Sequence, residues 1–292
     1  IMLSMMFVMI PRAMVSATRM NEVLDKMDTM KDLPISKDQV IETNKRGFVE
    51  FKDVTFRYAG ADEPVLKNIS FSAKPGETTA IIGGTGSGKS TMMNLIPRFY
   101  DVTSGSVLIN DQDVREMSQE ALRLKIGFVP QKSVLFSGTI AENIRYGKED
   151  ATDEEVQEAA RIAQATEFIS QMPDGFDSQI AQGGTNISGG QNQRLSIARA
   201  LVRKPEIYIF DDSFSALDFK TDAKLREALK YEQEDAAMII VAQRVATVMD
   251  ADQILVLHEG NLVGKGTHKE LLESCKVYEE IVFSQLSKEE AS

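Results

Sequence analysis

Residues Gly83-Gly84-Thr85-Gly86-Ser87-Gly88-Lys89-Ser90 fill every fixed position of the phosphate-cradling pattern G-x-x-x-x-G-K-[ST], a loop that belongs between a strand and a helix. Both flanks are legible. Thr78-Thr79-Ala80-Ile81-Ile82 reads as a short buried strand, and Lys89 to Ile96 can open a helix that Pro97 ends or kinks. The glycines let backbone N–H groups turn inward around phosphate oxygens, and the helix N-terminus adds its positive dipole end. Lys89 is placed to reach the β- and γ-phosphates and the Ser90 hydroxyl to ligate Mg²⁺, with Thr91 following in the same turn. The motif implies binding of a nucleoside triphosphate.

With 292 residues, 42% of them hydrophobic and 26% charged, the chain can build one large domain or two small ones. Its formal net charge of −11, with the acidic excess beyond residue 46, argues against a nucleic-acid partner. The single Cys275 excludes an internal disulfide, suits a reducing compartment and reads as a packing residue.

Ile1 to Ile10 is an almost unbroken apolar run closed by Pro11-Arg12, about half the roughly 20 residues that a membrane helix requires. It has neither a charged start nor a small-residue cleavage site, so it does not read as a signal peptide, and a chain that opens inside an apolar run looks truncated. Met20, Val23, Leu24, Met27 and Met30 then recur at helical spacing among Arg19, Glu22, Asp25 and Lys26, as an amphipathic helix ending near Pro34. Two readings stand: a helix packed on its own domain, or the cytoplasmic end of a membrane helix with Arg12 and Arg19 on the inner side.

Residues 31–47 are polar and turn-rich and read as a linker. From Phe48 onward, Val49 and Phe51, then Val54, Phe56 and Tyr58, alternate with polar residues in the pattern of half-buried antiparallel strands. Ile207 to Phe210 and Met238 to Ala242 are continuous apolar runs, as in parallel strands buried on both faces. Ala151 to Ala165 looks helical, and Gln253 to Leu257 with Asn261 to Lys265 flank Glu259-Gly260 as a hairpin. The sum is an α/β fold with a parallel core and an antiparallel flank.

Ile187-Ser188-Gly189-Gly190-Gln191, followed by Gln193-Arg194-Leu195-Ser196-Ile197-Ala198-Arg199-Ala200-Leu201, narrows the choice among phosphate-loop proteins. This segment resembles the signature motif of ATP-binding-cassette (ABC) ATPases, and the resemblance runs in order over roughly residues 48–286. Tyr58 resembles the family's adenine-stacking aromatic, Gln131 its Q-loop glutamine, Phe210-Asp211 the end of its Walker B strand and Ser215-Ala216-Leu217-Asp218 its D-loop. The residues alone leave alternatives: Tyr58 also fits a core aromatic at a strand end, and Gln131 a turn residue after Pro130. Ser188, Gly189 and Gly190 open a helix, so a hydroxyl, bare N–H groups and a helix dipole can face an anion. The resemblance makes that anion the γ-phosphate of ATP on a second, head-to-tail cassette. Asp211, a carboxylate at a strand's carboxyl edge, suits Mg²⁺ and its waters, and by the resemblance Gln131 joins it as a ligand.

The resemblance implies a RecA-like P-loop NTPase core with an antiparallel β flank and a helical subdomain at about residues 135–200. It divides the chain into the end of a last transmembrane helix and its cytoplasmic extension (1–30), a linker (31–47), the cassette (48–286) and a tail (287–292). Ile1 to Ile10 and Arg19 to Leu24 look like the close of the sixth transmembrane helix of ABC exporters, whose membrane domain precedes the cassette. That implies a longer natural protein at the cell membrane, with the cassette on the cytoplasmic side. An importer cassette would lack this preface, and a DNA-repair relative would carry a long coiled coil between Gln131 and Ser188.

Two positions depart from the family pattern. Where the family usually has a Glu that polarises the attacking water stands Asp212, its carboxylate retracted by roughly 1.5 Å. Where it usually has a His that contacts the γ-phosphate stands Gln243, which donates a neutral hydrogen bond but carries no titrating charge. Ala181-Gln182-Gly183-Gly184 departs as well, and His258 and His268 read as surface residues. Together these resemble the degenerate half of a heterodimeric exporter, in which Ser188 to Gln191 serve the partner's site. A homodimer with a slow Asp212, a non-hydrolysing regulatory module and a soluble ABC ATPase are the competing expectations.

Overall fold

Apolar runs with no polar alternation can be buried on both faces only in the middle of a sheet, and that is where they lie. The computed structural model describes residues 2–25, 45–232 and 235–286, and the chain divides into two units, residues 1–33 and 34–292.

In the first unit, Met2–Leu24 forms one helix, α1, with Pro11 inside it. Pro11 closes the apolar run of the sequence but does not end the helix. A proline inside a helix costs about 3 kcal/mol, yet the Met- and Ala-rich flanks favour helix on both sides, and the backbone continues through it. Apolar side chains including Phe7, Met9 and Ile10 are exposed. No helix among the described residues is long and apolar enough to cross a membrane. The expected helix end near Pro34, most of the 31–47 linker and the 287–292 tail lie outside the described residues.

The second unit opens with β1 (Val49–Phe56) and β2 (Leu66–Ala73), which pair antiparallel. What reads as two alternations in the sequence is a single strand. Asp53 adopts φ 47°, and the register slips on both neighbouring strands at this bulge, so Val49, Phe51, Val54 and Phe56 all face inward. Asp53 holds the bulge by donating its N–H to Ser70 Oγ at 2.9 Å and accepting from the same hydroxyl at 3.0 Å. Strand β3 (Thr78–Gly83) leads into α2 (Lys89–Leu95), and β4 (Ser104–Ile109) and β5 (Gln112–Asp113) complete a four-stranded sheet of order β2-β1-β4-β5.

Helix α3 (Gln119–Leu124) and β6 (Ile126–Val129) follow, then β7 (Gly138–Thr139), α4 (Ile140–Arg145), α5 (Asp153–Ile162), α6 (Thr166–Ser170), β8 (Gln179–Ile180) and α7 (Gly189–Leu201). Next come β9 (Ile207–Asp211), α8 (Phe219–Glu232), β10 (Ala237–Val241), α9 (Val245–Val248), β11 (Gln253–His258), β12 (Asn261–Gly266), α10 (His268–Ser274) and α11 (Lys276–Phe283). The larger sheet has order β12-β11-β3-β10-β9-β6 and is parallel except for the β11–β12 hairpin. Every residue of β9 and β10 is buried. The mixed α/β fold with a parallel core and an antiparallel flank is therefore as the sequence implied.

Apolar faces of β1, β2, β4 and α2 fill the space against one side of the parallel sheet, while α4, α5, α7 and α11 pack against the other. A polar rivet joins the sheets at their edge. Asn110 accepts from Phe48 N–H at 3.0 Å and donates to Glu206 at 2.8 Å, and Lys125 donates to the same carboxylate at 3.1 Å. Cys275 is buried against the bare backbone of Gly264, in keeping with a packing role. His258 is exposed as expected, but His268 is half-buried, its Nδ1 2.7 Å from the hydroxyl of the fully buried Tyr278. Burial pushes that phenol up to about 12.

Opposite the Asp53 bulge, Gly105 sits at φ 78°, where a Cβ would fall 2.4 Å from the carbonyl oxygens of Lys52 and Asp53. Gly105→Ala is expected to destabilise the second unit by about 2–3 kcal/mol, read as a lowered midpoint in urea unfolding; an unchanged midpoint would show the bulge to be pliable.

Candidate functional site

Parallel pairing aligns the carboxyl ends of the central strands. Val241 on β10 lies in register with Ile81 on β3 and with Asp211 on β9, so the chains leaving these strands converge on one cleft of about 330 Å³. Thr85, Gly86, Gly88, Lys89, Ser90, Thr91, Gln131, Asp211, Asp212 and Gln243 line it.

The loop begins at Gly83, where a Cβ would collide with Leu257 O at 2.2 Å, because β11 passes directly beside it. Gly88 stands at φ 102° before α2, with Leu66 closing off its side. Gly84 and Gly86 have nothing within 4 Å of where a Cβ would stand, so the mouth of the loop is open. The Lys89 ammonium donates to the carbonyls of Gly83 and Gly84, each at 2.8 Å, and lies 3.5 Å from the buried Ser87 Oγ. Burial lowers its pKa, while the charges of Asp212 and Asp211 act in the opposite direction.

Asp211 ends β9 and is 5% exposed. It accepts from Ser90 Oγ at 3.1 Å. A hydroxyl and a carboxylate oxygen at this distance are hard donors suited to Mg²⁺ beside phosphates, which normally supply further ligands along with water. Among the described residues no cluster of three His, Cys, Asp or Glu forms an all-protein metal cage. Burial is the largest influence on the Asp211 carboxyl and raises its pKa; Asp212 adds to the rise, and Ser90 and Lys89 oppose it.

Asp212 occupies φ 50°, uncommon for a residue with a Cβ, and its N–H donates to Val241 O at 2.9 Å. The carboxylate is thereby turned into the cleft. Its Oδ2 accepts from Gln243 Nε2 at 2.7 Å and from Gln131 Nε2 at 3.1 Å. Two neutral amides from the ends of β10 and β6 converge on one carboxylate oxygen. Both sequence departures thus meet in a single hydrogen-bonded group, a contact that no spacing in the sequence reveals.

Tyr58 lies beyond the end of β1, its hydroxyl 3.0 Å from Thr91 Oγ1 and its ring edge-on to Phe56 and Tyr100. It is tied to the helix that the phosphate loop opens. Ser188 instead caps α7: its Oγ accepts from Gln191 N–H at 3.2 Å, and Gln191 Oε1 accepts from Ser188 N–H at 2.8 Å, a reciprocal capping box. Gly189 opens α7, and Gly190 approaches the Ala216 carbonyl. Asp218 accepts from the N–H and hydroxyl of Thr221 at the start of α8. Ser188 to Gln191 and Asp218 do not line the cleft. Sequence reading also missed Arg244, which donates to the carbonyls of Ser215 at 3.0 Å and Leu217 at 3.4 Å.

A family profile described as ABC transporter matches residues 66–215. An uncharacterized ABC transporter ATP-binding protein of Mycobacterium bovis is 48% identical over 98% of this chain and 49% of its own length. A Staphylococcus aureus protein with the provisional name multidrug export ATP-binding/permease protein is 45% identical over 81% of this chain and 41% of its own. The solved structure of a bacterial Atm1-family ABC exporter with ATP bound superposes with a TM-score of 0.87 at 36% identity, over 98% of this chain and 50% of that one. The chain thus spans about half the length of the relatives it matches.

Because burial holds the Asp211 pKa above its unfolded value, the native state binds the proton more tightly, and stability falls as pH rises from the ordinary carboxylate value through the raised one. Asp211→Asn is expected to melt about 2–4 °C above wild type at pH 7 and close to it at pH 4. Thermal scans at both pH values check this; a lower melting point at pH 7 overturns it.

Proposed function

The chain belongs to the ABC transporter family, and we propose that it is the ATP-binding cassette of an exporter half-transporter, coupling ATP binding and hydrolysis to transport across the cell membrane. The ATP-bound exporter that superposes on nearly the whole chain, and the export name of a relative, support this reading. The remaining half of such a protein carries the membrane domain, with this cassette on the cytoplasmic side.

Tyr58 stacks on the adenine, and the N–H groups of Gly83 to Gly88 with Lys89 hold the phosphates. Ser90, Asp211 and Gln131 hold Mg²⁺, which when bound neutralises charge developing on the phosphate oxygens. Asp212 is the group placed to orient the attacking water, and Gln243 donates toward the terminal phosphate.

Turnover at this site is slow. The observation that carries this is the double engagement of Asp212 Oδ2 by Gln131 and Gln243: a short carboxylate already accepting two amide hydrogen bonds is a poor water activator. A displacement of about 1 Å can cost roughly 10²-fold in rate. The site therefore binds ATP better than it turns it over. Ser188 to Gln191, of which Ser188 and Gly189 are exposed and all lie outside this chain's own cleft, together with Asp218, act on nucleotide held by a second, head-to-tail cassette. That partner is a distinct half-transporter with a competent site, and the assembly is a heterodimer.

Restoring the longer carboxylate and the imidazole tests the reading. In the full-length transporter with its partner, Asp212→Glu combined with Gln243→His is expected to raise ATP turnover at this site about 10- to 100-fold, measured as nucleotide trapped as ADP in this subunit. Unchanged turnover would sink the slow-site proposal, and complete absence of ADP from wild type would favour a purely regulatory module.

A further inference from the structure

Helix α9 begins without a cap of its own. Arg244 stands at the cap position and makes no side-chain hydrogen bond to the helix, so the Val245 N–H, buried at the first turn, needs a partner from elsewhere. Gln285, two residues after α11, supplies it: its Oε1 accepts from Val245 N–H at 2.9 Å. The same amide donates through Nε2 to the Gln243 carbonyl at 2.8 Å. One planar group thus bridges the backbone on both sides of Arg244. The base of this bracket is firm, because Tyr278 and Val282 of α11 are fully buried.

The bracketed segment is the one whose outer end reaches the nucleotide cleft. Gln243 donates to Asp212 at 2.7 Å, and Arg244 between the two gripped residues donates to Ser215 and Leu217 and stacks over Phe219 at 5.2 Å. Releasing Gln285 leaves the Gln243 backbone without its carbonyl partner and Val245 with an unpaired N–H, so the Gln243 amide loses its aim. We infer that Gln285 is a positioning residue for the nucleotide site, fixing the backbone from which Gln243 addresses Asp212 and the terminal phosphate. This rests on the proposed reading in which Gln243 faces the γ-phosphate.

The full-length transporter with its partner tests it by subunit-resolved photolabelling with azido-ATP and azido-ADP. Gln285→Ala is expected to weaken ATP binding about fivefold, the equivalent of one neutral hydrogen bond, while ADP binding changes less than about twofold. In a Gln243→Ala background the same substitution should add nothing, since both act through one amide. Gln285→Glu, which keeps the acceptor for Val245 but loses the donor to Gln243, should retain protection of the Val245 amide from hydrogen exchange and still lose ATP preference. Equal losses for ATP and ADP, or the same loss in both backgrounds, would mark Gln285 as merely structural and overturn the inference. Unchanged Val245 exchange in Gln285→Ala would overturn the bracket itself, whereas a wild type that binds ATP no better than ADP overturns the reading of Gln243 instead.

Discussion

Val241 is held in register between Ile81 and Asp211, and this row of backbone hydrogen bonds sets the geometry of everything that follows. It places the start of the phosphate loop, the Asp211 carboxylate and the turn toward Gln243 at one edge of one sheet. Side chains alternate along a strand, so a slip of one residue would send Asp211 to the opposite face. Continuous burial of β9 and β10 secures that register less by pattern than by the packing of layers on both sides. The Asn110–Glu206 rivet then fixes the antiparallel flank, which carries Tyr58, against the same core.

On the proposed reading, Asp212 separates holding a nucleotide from consuming it. The phosphate loop, Lys89 and Ser90 make no hydrogen bond to the two neighbouring amides, whereas one oxygen of the Asp212 carboxylate accepts from both. The positive φ at Asp212 is the backbone's part in this arrangement, turning the side chain toward the cleft while its N–H stays bonded to Val241. On the proposed reading, the unusual pairing shapes a site for occupancy, and the intact capping box at Ser188 is offered to another subunit.

The sequence made the phosphate loop, the buried strands and the β11–β12 hairpin legible because each is a local pattern: glycines at fixed offsets, unbroken apolar runs, a turn pair. It also exposed the substitutions at Asp212 and Gln243, though not their contact, since they are 31 residues apart and meet only through sheet pairing. The Asp53 bulge appeared as a lost beat in an alternation, which reads equally as a strand break. Pro11 closes an apolar run in the sequence, whereas the backbone of α1 continues through it because helix-forming residues stand on either side. His268 looked like a surface residue because nothing in its neighbours announces Tyr278, ten positions on. Gln285 was invisible for the same reason: its partners are backbone groups, which every sequence possesses.

Lys89 gives the loop a further property. With its ammonium seated on the carbonyls of Gly83 and Gly84, the lysine serves as the loop's own internal counterion to the carbonyl dipoles. This contact ties the first turn of the loop to the start of α2. On the proposed reading, a phosphate that draws on this ammonium competes for it with two backbone carbonyls, so binding exchanges partners on one side chain. What the lysine gains from a nucleotide is then offset in part by what it gives up at Gly83 and Gly84.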